Sequence, residues 1–167
     1  MALRALLTGE PLRSSIDVHN RLLADDVPHE LSALPGTLRD LAAAPEVLGL
    51  PAFAVGQPTL FADAHGAVVV LAPAGLPVDE TGVAALLGRD GLAPVAPDQA
   101  PGLTGYLLPF VPPVALECPV TVLVDERLAG EDVVYTAAGE PGVILKVRGS
   151  DLVKATSAVV IQVTRAG

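Results

Sequence analysis

The sequence contains no tryptophan, few other aromatic residues and a single cysteine. With 3 Phe and 2 Tyr in 167 residues, a folded core must be built mainly from Val, Leu and Ala. The lone Cys118 cannot form an internal disulfide, which argues against a disulfide-stabilised secreted domain and favours the reducing cytoplasm. Because Cys118 directly precedes a predicted strand and lacks the neighbours of a catalytic thiolate, we expect it to be buried and structural.

Long apolar runs are also absent. A membrane-spanning helix needs about 20 mostly apolar residues. The longest apolar stretches here, 67–77 and 111–116, are short and interrupted by Gly or Pro. The first seven residues lack the apolar region of a signal peptide. We therefore expect no association with a membrane.

The sequence signatures of common active sites are missing as well. There is no G-x-G-x-x-G, Walker A, H-E-x-x-H or G-x-S-x-G motif. The three histidines, His19, His29 and His65, are distant from one another in the chain, and no cysteine pair accompanies them. We therefore expect neither a metal site nor a bound cofactor.

Positive charge is scarce along most of the chain. Ten Lys and Arg oppose nineteen Asp and Glu, a formal net charge of −9. Proteins that bind nucleic acid unaided usually present a basic face, so we expect no DNA binding. Residues 145–167 are the exception. Their charged residues give a net charge of +3: Lys146, Arg148, Lys154 and Arg165 against Asp151. Ordinary solvated faces of terminal elements would also explain this basic segment.

The residues that are present predict many short elements. Sixteen Gly and sixteen Pro favour frequent turns. Strands are predicted at 58–62, 67–72, 119–124, 133–137, 143–147 and 158–163, and short helices begin near Ser14, Thr37, Asp79 and Ser150. Strands outnumber the helices that strict βαβ alternation would need. We therefore predict an α+β fold, a single domain over 15–167 with a curved mixed sheet flanked by short helices, after a mobile leader at 1–14.

Three details of these elements bear on the interior and on the site. In the first helix we expect Ile16, Leu22 and Leu23 to face the core. Asp125 ends a predicted buried strand, where a carboxylate either caps the next turn or lines a cleft, and the sequence leaves both open. Residues 94–113 form a long proline-rich connection, and connections of that length inside compact domains are often functional.

Several segments resemble motifs of one known family. They are TGY (104–106), VPPVA (111–115), VLVDERL (122–128), VVYTAAG (133–139) and SDL (150–152), with VPHEL (27–31) and LGL (48–50) in the N-terminal half. In this order and at these intervals they resemble the YbaK-type family, the free-standing relatives of the editing domain inserted in bacterial prolyl-tRNA synthetases. The resemblance covers about residues 15–160 and implies a YbaK-like editing-domain fold.

The resemblance also implies an activity and its partners. The family hydrolyses mischarged aminoacyl-tRNA in trans, chiefly tRNA for proline that carries a small amino acid. To catalyse this reaction, the protein must bind the ester, polarise its carbonyl group and position a water molecule for attack. The expected partners are aminoacyl-tRNA and a prolyl-tRNA synthetase. The residues implied to bind substrate are Thr59, Pro109, Phe110, Val111, Pro113, Asp125 and Gly139. Those expected to contact tRNA are Lys146, Arg148 and Lys154.

The sequence departs from the family at the implied catalytic position. The family lysine stands eight residues after a helix-end glycine, and counting from Gly49 gives Gln57, which can hydrogen-bond but brings no charge. The loop glycine is replaced by Pro109, which has no N–H to donate. Phe110 follows it and would narrow the pocket. We therefore expect reduced or altered editing.

Two other functions remain open from the sequence. One is a catalytically inactive relative that binds tRNA, a synthetase or an aminoacyl ligand. The other is a regulatory protein that uses the same fold for a small ligand, since a fold does not fix a function.

Overall fold

The computed structural model describes residues 12–34, 41–108 and 110–164. The α-helices are α1 Ser15–Ala24, α2 Ala44–Leu48, α3 Glu80–Leu87, α4 Ala100–Thr104, α5 Glu126–Ala129 and α6 Gly149–Thr156. The strands are β1 His29–Ala33, β2 Val55–Asp63, β3 Gly66–Pro73, β4 Ala93–Pro94, β5 Thr121–Asp125, β6 Val134–Ala137, β7 Val143–Val147 and β8 Val159–Ile161. The predicted helix start at Thr37 lies outside the described residues, as do residues 1–11 of the predicted leader.

These eight strands form one mixed sheet. Its order is β1-β7-β6-β2-β3-β5-β8, and β4 adds a short pairing to β2. Pairing is antiparallel between β1 and β7, β7 and β6, β2 and β3, and β2 and β4. It is parallel between β6 and β2, β3 and β5, and β5 and β8. The prediction of an α+β domain built on a mixed sheet is confirmed.

The β2–β3 hairpin is the central pair of the sheet. It runs in register from Gly56–Pro73 to Asp63–Gly66. The Asp63 carboxylate accepts hydrogen bonds from both Nε and Nη2 of Arg89, which follows Gly88, the C-cap of α3. The hydrogen bonds from Arg89 hold the pKa of the Asp63 carboxyl well below its ordinary value. This pair therefore ties the end of α3 to the tip of the hairpin.

Alternation along the strands divides the apolar residues between the two faces of the sheet. One face holds the main core, which includes Leu60 of β2, Leu71 of β3 and Val124 of β5. The other face holds two smaller clusters. One gathers around Phe61 and Val83, under α3, and the other around Val55, under the segment from Leu41 to Leu50.

The first helix begins as predicted, but part of its predicted apolar face is wrong. Ser14 caps α1, and its capping box with Asp17 is complete. Val18 and Leu22, four residues apart, are fully buried, whereas Ile16 is 67% and Leu23 is 61% exposed. One stripe of this helix reaches the core, and Ile16 and Leu23 lie off that stripe.

The prediction that Cys118 is buried is also wrong. Its side chain is exposed. The strand that follows begins only at Thr121, so Cys118 lies in a surface loop beyond the end of the sheet, where no strand covers it. The long proline-rich connection, in turn, includes the short α4. No helix among the described residues has the length and apolar character needed to span a membrane.

Candidate functional site

Two of the predicted site residues lie together on one face of β2. Gln57 and Thr59 are two residues apart, so their side chains share a face, and both are partly exposed. They line a cavity of about 420 Å³, which we call the Gln57 cavity. Its lining residues are Gln57, Thr59, Phe61, Ala72, Gly75, Leu76, Pro77, Val78 and Glu80.

The position of the Gln57 cavity follows from the packing on this face of the sheet. Val55, two residues before Gln57, belongs to the cluster under the 41–50 segment. Phe61, two residues after Thr59, belongs to the cluster under α3. Gln57 and Thr59 lie between these two covers. The sheet partner of Gln57 is Ala72, whose small side chain leaves room above the strand. The cavity is thus the uncovered part of this face.

Backbone pairing is also incomplete beside this pair of residues. On the edge of β2 away from β3, the described pairing partners are β6 at Val55 and Gly56, and β4 at Phe61 and Ala62. Residues 57–60 lie between these two partners, where Val95 N–H donates to the Leu60 carbonyl at 3.0 Å. Such an edge-like stretch tolerates a proline within a strand, and Pro58 occupies it.

The predicted loop residues come together on the other side of the sheet. Gly139 N–H donates to the Phe110 carbonyl at 3.0 Å. Val111 is buried in the main core together with Tyr106. The Tyr106 hydroxyl donates to Ala115 O at 2.8 Å, and burial raises its pKa to about 12. The structure therefore groups Phe110, Val111 and Gly139, but on the face of the sheet opposite to the Gln57 and Thr59 side chains.

Two other predicted substrate-binding residues lie elsewhere. Pro113 lines a separate cavity of about 370 Å³, together with Cys118. Pro109 lies outside the described residues.

Asp125 is fully buried and acts as a cap. Its Oδ1 accepts the backbone N–H of Arg127, in the first turn of α5, at 3.0 Å, and the Arg127 guanidinium donates to both carboxylate oxygens. Oδ2 also accepts Val163 N–H at 3.2 Å. Burial alone would raise the pKa of Asp125, but the hydrogen bonds from Arg127 and Val163 hold it below its ordinary value. Of the two roles that the sequence left open, the structure shows the cap.

The predicted basic residues divide between a cavity and a helix surface. Lys146 and Arg148 line a cavity of about 580 Å³, which we call the Lys146 cavity. Its charged lining also includes three acids: Glu30, Asp132 and Asp151. The Lys146 Nζ lies 3.9 Å from Glu30 Oε1 and 5.9 Å from the centroid of the Tyr135 ring. Lys154 is exposed on α6 and does not line this cavity.

Lys146 nevertheless shares a sheet face with Gln57. Register pairs Lys146 with Tyr135, and Tyr135 with Val55, so these three residues form one row across the sheet. Gln57 lies two residues further along β2 on the same face. With a rise of about 3.3 Å per residue and strands about 4.8 Å apart, the Cα atoms of Lys146 and Gln57 are roughly 12 Å apart.

Sequence reasoning missed several lining residues. Leu76, Val78 and Glu80 belong to no motif that the sequence offered. The predicted helix start near Asp79 is confirmed, since Asp79 caps α3 and accepts Gly82 N–H at 3.1 Å. Combined with the end of β3, this cap would have placed the first turn of α3 beside the sheet. The described residues contain no group of three His, Cys, Asp or Glu side chains that could hold a metal ion.

Comparisons with known proteins agree with this architecture. The model of the aminoacyl-tRNA editing domain family matches residues 36–155. A protein described as a candidate trans-editing enzyme for prolyl-tRNA synthetase superposes with TM-score 0.81 at 23% identity, over 91% of this chain and 97% of that chain. A hypothetical protein gives TM-score 0.81 at 26% identity, over 89% and 99%. A protein from computational epitope grafting onto scaffolds gives TM-score 0.82 at 23% identity, over 92% and 97%. A search of curated proteins found no match.

The buried Asp125 carboxylate generates a first prediction. Asp125→Asn replaces one carboxylate oxygen by an NH2 group, which cannot accept the hydrogen bonds that Arg127 or Val163 donates to that oxygen, so we expect a loss of about 2–3 kcal/mol in the free energy of unfolding at pH 7. Since the folded pKa is depressed, the wild-type advantage is present above the unfolded pKa of about 3.9 and disappears as pH falls through the lower folded value. Urea unfolding from pH 7 to pH 3 measures both effects.

The exposed Asp90 supplies the control for this comparison. Asp90→Asn should change the free energy of unfolding by less than about 0.5 kcal/mol. An Asp125→Asn variant as stable as wild type at pH 7 would contradict the role assigned to this carboxylate.

Gly139 generates a second prediction. A Cβ at this position would lie 2.8 Å from Cε1 of the Tyr106 ring, and its φ of +95° disfavours a side chain. Gly142 has a similar φ of +81° but open space around it. We expect Gly142→Ala to cost about 1 kcal/mol from backbone strain alone, and Gly139→Ala to cost clearly more. Thermal unfolding of both variants measures the difference, and equal losses would show that the Tyr106 contact is unimportant.

Proposed function

The chain belongs to the aminoacyl-tRNA editing domain family, and from that premise we propose that it hydrolyses mischarged aminoacyl-tRNA in trans. The proposed substrate is tRNA for proline that carries a small amino acid. The observation that supports this best is the Gln57 cavity. It places Gln57, which occupies the position implied for the family lysine, beside Thr59 and a mostly apolar wall.

The proposed reaction needs little from the protein beyond binding and polarisation. A water oxygen bonds to the ester carbonyl carbon, the bond from that carbon to the ribose oxygen breaks, and the ribose oxygen takes a proton. Gln57 can donate from its amide to the ester carbonyl oxygen, and the Thr59 hydroxyl can orient the water. The products are the free amino acid and uncharged tRNA.

Gln57 sets the expected level of this activity. A neutral amide is neither an acid nor a base near pH 7, and its hydrogen bonds are weaker than those of a charged donor. Within residues 12–34, 41–108 and 110–164, no lysine or arginine lines the Gln57 cavity. We therefore propose that the activity is reduced or altered in comparison with a family member that has lysine at this position.

Hydrolysis of alanyl-, cysteinyl- and seryl-tRNA for proline tests this proposal. We expect slow hydrolysis of at least one substrate by the wild type, and an increase of about tenfold in kcat/KM for Gln57→Lys, since a charged donor adds about 1.4 kcal/mol. The control is Gln162→Lys, which adds the same charge at an exposed residue outside the Gln57 cavity and should leave the rate unchanged. Absence of hydrolysis by both wild type and Gln57→Lys would exclude the enzymatic function.

The second candidate function is a catalytically inactive relative that binds tRNA, a synthetase or an aminoacyl ligand. The neutral Gln57, in a cavity whose described lining residues include no cation, favours it specifically. In that case the charged tRNA would still bind but would not be hydrolysed. Binding without turnover in the same assay separates the two functions.

We also propose that the basic segment makes the phosphate contacts. Lys146 and Arg148 lie together at the Lys146 cavity, on the same sheet face as Gln57, although three acids moderate their field. A prolyl-tRNA synthetase could supply the remaining RNA affinity, since the chain is acidic overall. The proposed activity places the protein in the cytoplasm.

Charge reversal tests these phosphate contacts. In Lys146→Glu/Arg148→Glu we expect weaker tRNA binding at low salt. The dependence of log K on log[salt] should also become smaller, by about 0.7–0.9 for each phosphate that the protein no longer neutralises. The control is Arg21→Glu, an exposed cation on α1. An unchanged affinity and salt slope in the double variant would place the phosphate contacts elsewhere.

A further inference from the structure

Among the described residues that line the Gln57 cavity, one is charged, and that residue is acidic. Glu80, in the first turn of α3, is exposed, and the remaining lining residues are neutral. Within the described part of the chain, no hydrogen bond or ion pair engages the Glu80 carboxylate. The helix cap does not need it either, because Asp79 already accepts Gly82 N–H. Glu80 is therefore available to a ligand in the cavity.

The negative charge of Glu80 favours one part of the 3′ end of an aminoacyl-tRNA over another: it attracts the aminoacyl group and repels a phosphate. Among the lining residues that the structure describes, a phosphate in the Gln57 cavity would meet a carboxylate and no cation, which is unfavourable. The aminoacyl group instead presents an α-amino group, whose pKa near 8 keeps most of it protonated at pH 7. An ammonium group and a carboxylate attract, and a charge-assisted hydrogen bond between them is stronger than a neutral one.

We propose that Glu80 binds the α-ammonium group of the aminoacyl ester and so selects esters with a free amino group. The proposal rests on the proposed function, since it assigns the aminoacyl end to the Gln57 cavity. With the ammonium at Glu80, the ester carbonyl lies toward Gln57 and Thr59 on the cavity floor. The side chain of a small amino acid then packs against the apolar wall, to which Leu76 and Val78 contribute.

This arrangement separates two classes of substrate. Aminoacyl-tRNA with a free α-amine is accepted, whereas N-acylated aminoacyl-tRNA and peptidyl-tRNA, which lack the positive charge, are not favoured. A purely structural role for Glu80 predicts otherwise. An acid in the first turn stabilises a helix through its dipole, and the loss of that effect would change hydrolysis of both substrate classes equally.

The test compares alanyl-tRNA with N-acetyl-alanyl-tRNA, using wild type, Glu80→Gln and the control Asp90→Asn. We expect Glu80→Gln to lower kcat/KM for alanyl-tRNA by about three- to tenfold, because the pair is solvent-exposed. The rate for N-acetyl-alanyl-tRNA should not change, and Asp90→Asn should resemble wild type. An equal effect of Glu80→Gln on both substrates, or no effect on either, would overturn the assignment of Glu80.

A second measurement keeps this inference distinct from the hydrolase proposal. If wild type hydrolyses neither substrate, the proposed hydrolytic function is wrong. Calorimetry then measures the binding of 3′-alanylamino-3′-deoxyadenosine, an analogue in which a stable amide replaces the ester. Weaker binding to Glu80→Gln than to wild type would still support the ammonium site. Equal binding to both proteins, or no binding to wild type, would overturn it.

Discussion

The buried carboxylate of Asp125 links the parts of the chain that shape the candidate site. It ends β5, caps α5 through Arg127 N–H and holds Val163 N–H, while Arg127 also donates to the Thr164 hydroxyl. From this C-terminal segment, Val163 O accepts Asp79 N–H at 2.8 Å, and Thr164 forms a β-bridge with Val78. Val78 lines the Gln57 cavity, and Asp79 caps the helix that begins with Glu80. Asp125 therefore supports the cavity wall indirectly, through Val163 and Thr164.

The charges on the site face are separated, and this separation shapes the proposed chemistry. In the part of the chain that the structure describes, the Gln57 cavity is lined by one carboxylate and no cation, whereas Lys146 and Arg148 line a different cavity. The row from Val55 through Tyr135 to Lys146 keeps both cavities on one face of the sheet. Such a layout suits a ligand whose cationic aminoacyl end and anionic phosphates bind at different places.

Much of the fold could be predicted from local patterns, but the site could not be fully assembled from them. The Ser14 and Asp79 caps, the β2–β3 hairpin and the mixed sheet follow from capping residues and strand alternation within short windows. The exposure of Cys118 and Ile16 depends on where the sheet ends and how α1 is rotated, which no short window encodes. Likewise the resemblance groups Gln57 and Val111 in one site, although Val111 packs in the main core, on the sheet face opposite to the Gln57 side chain. Glu80 enters the cavity only because the tertiary structure brings α3 beside β2.

The central claim is that the Gln57 cavity holds the aminoacyl end of the substrate. The most direct measurement is an amide chemical-shift titration of the 15N-labelled protein with 3′-alanylamino-3′-deoxyadenosine. We predict saturable shifts at Gln57, Thr59, Leu76 and Glu80, with smaller changes around Lys146 and Arg148. Saturable shifts confined to the Lys146 cavity, or around Phe110 and Gly139 with none at Gln57 and Thr59, would contradict it.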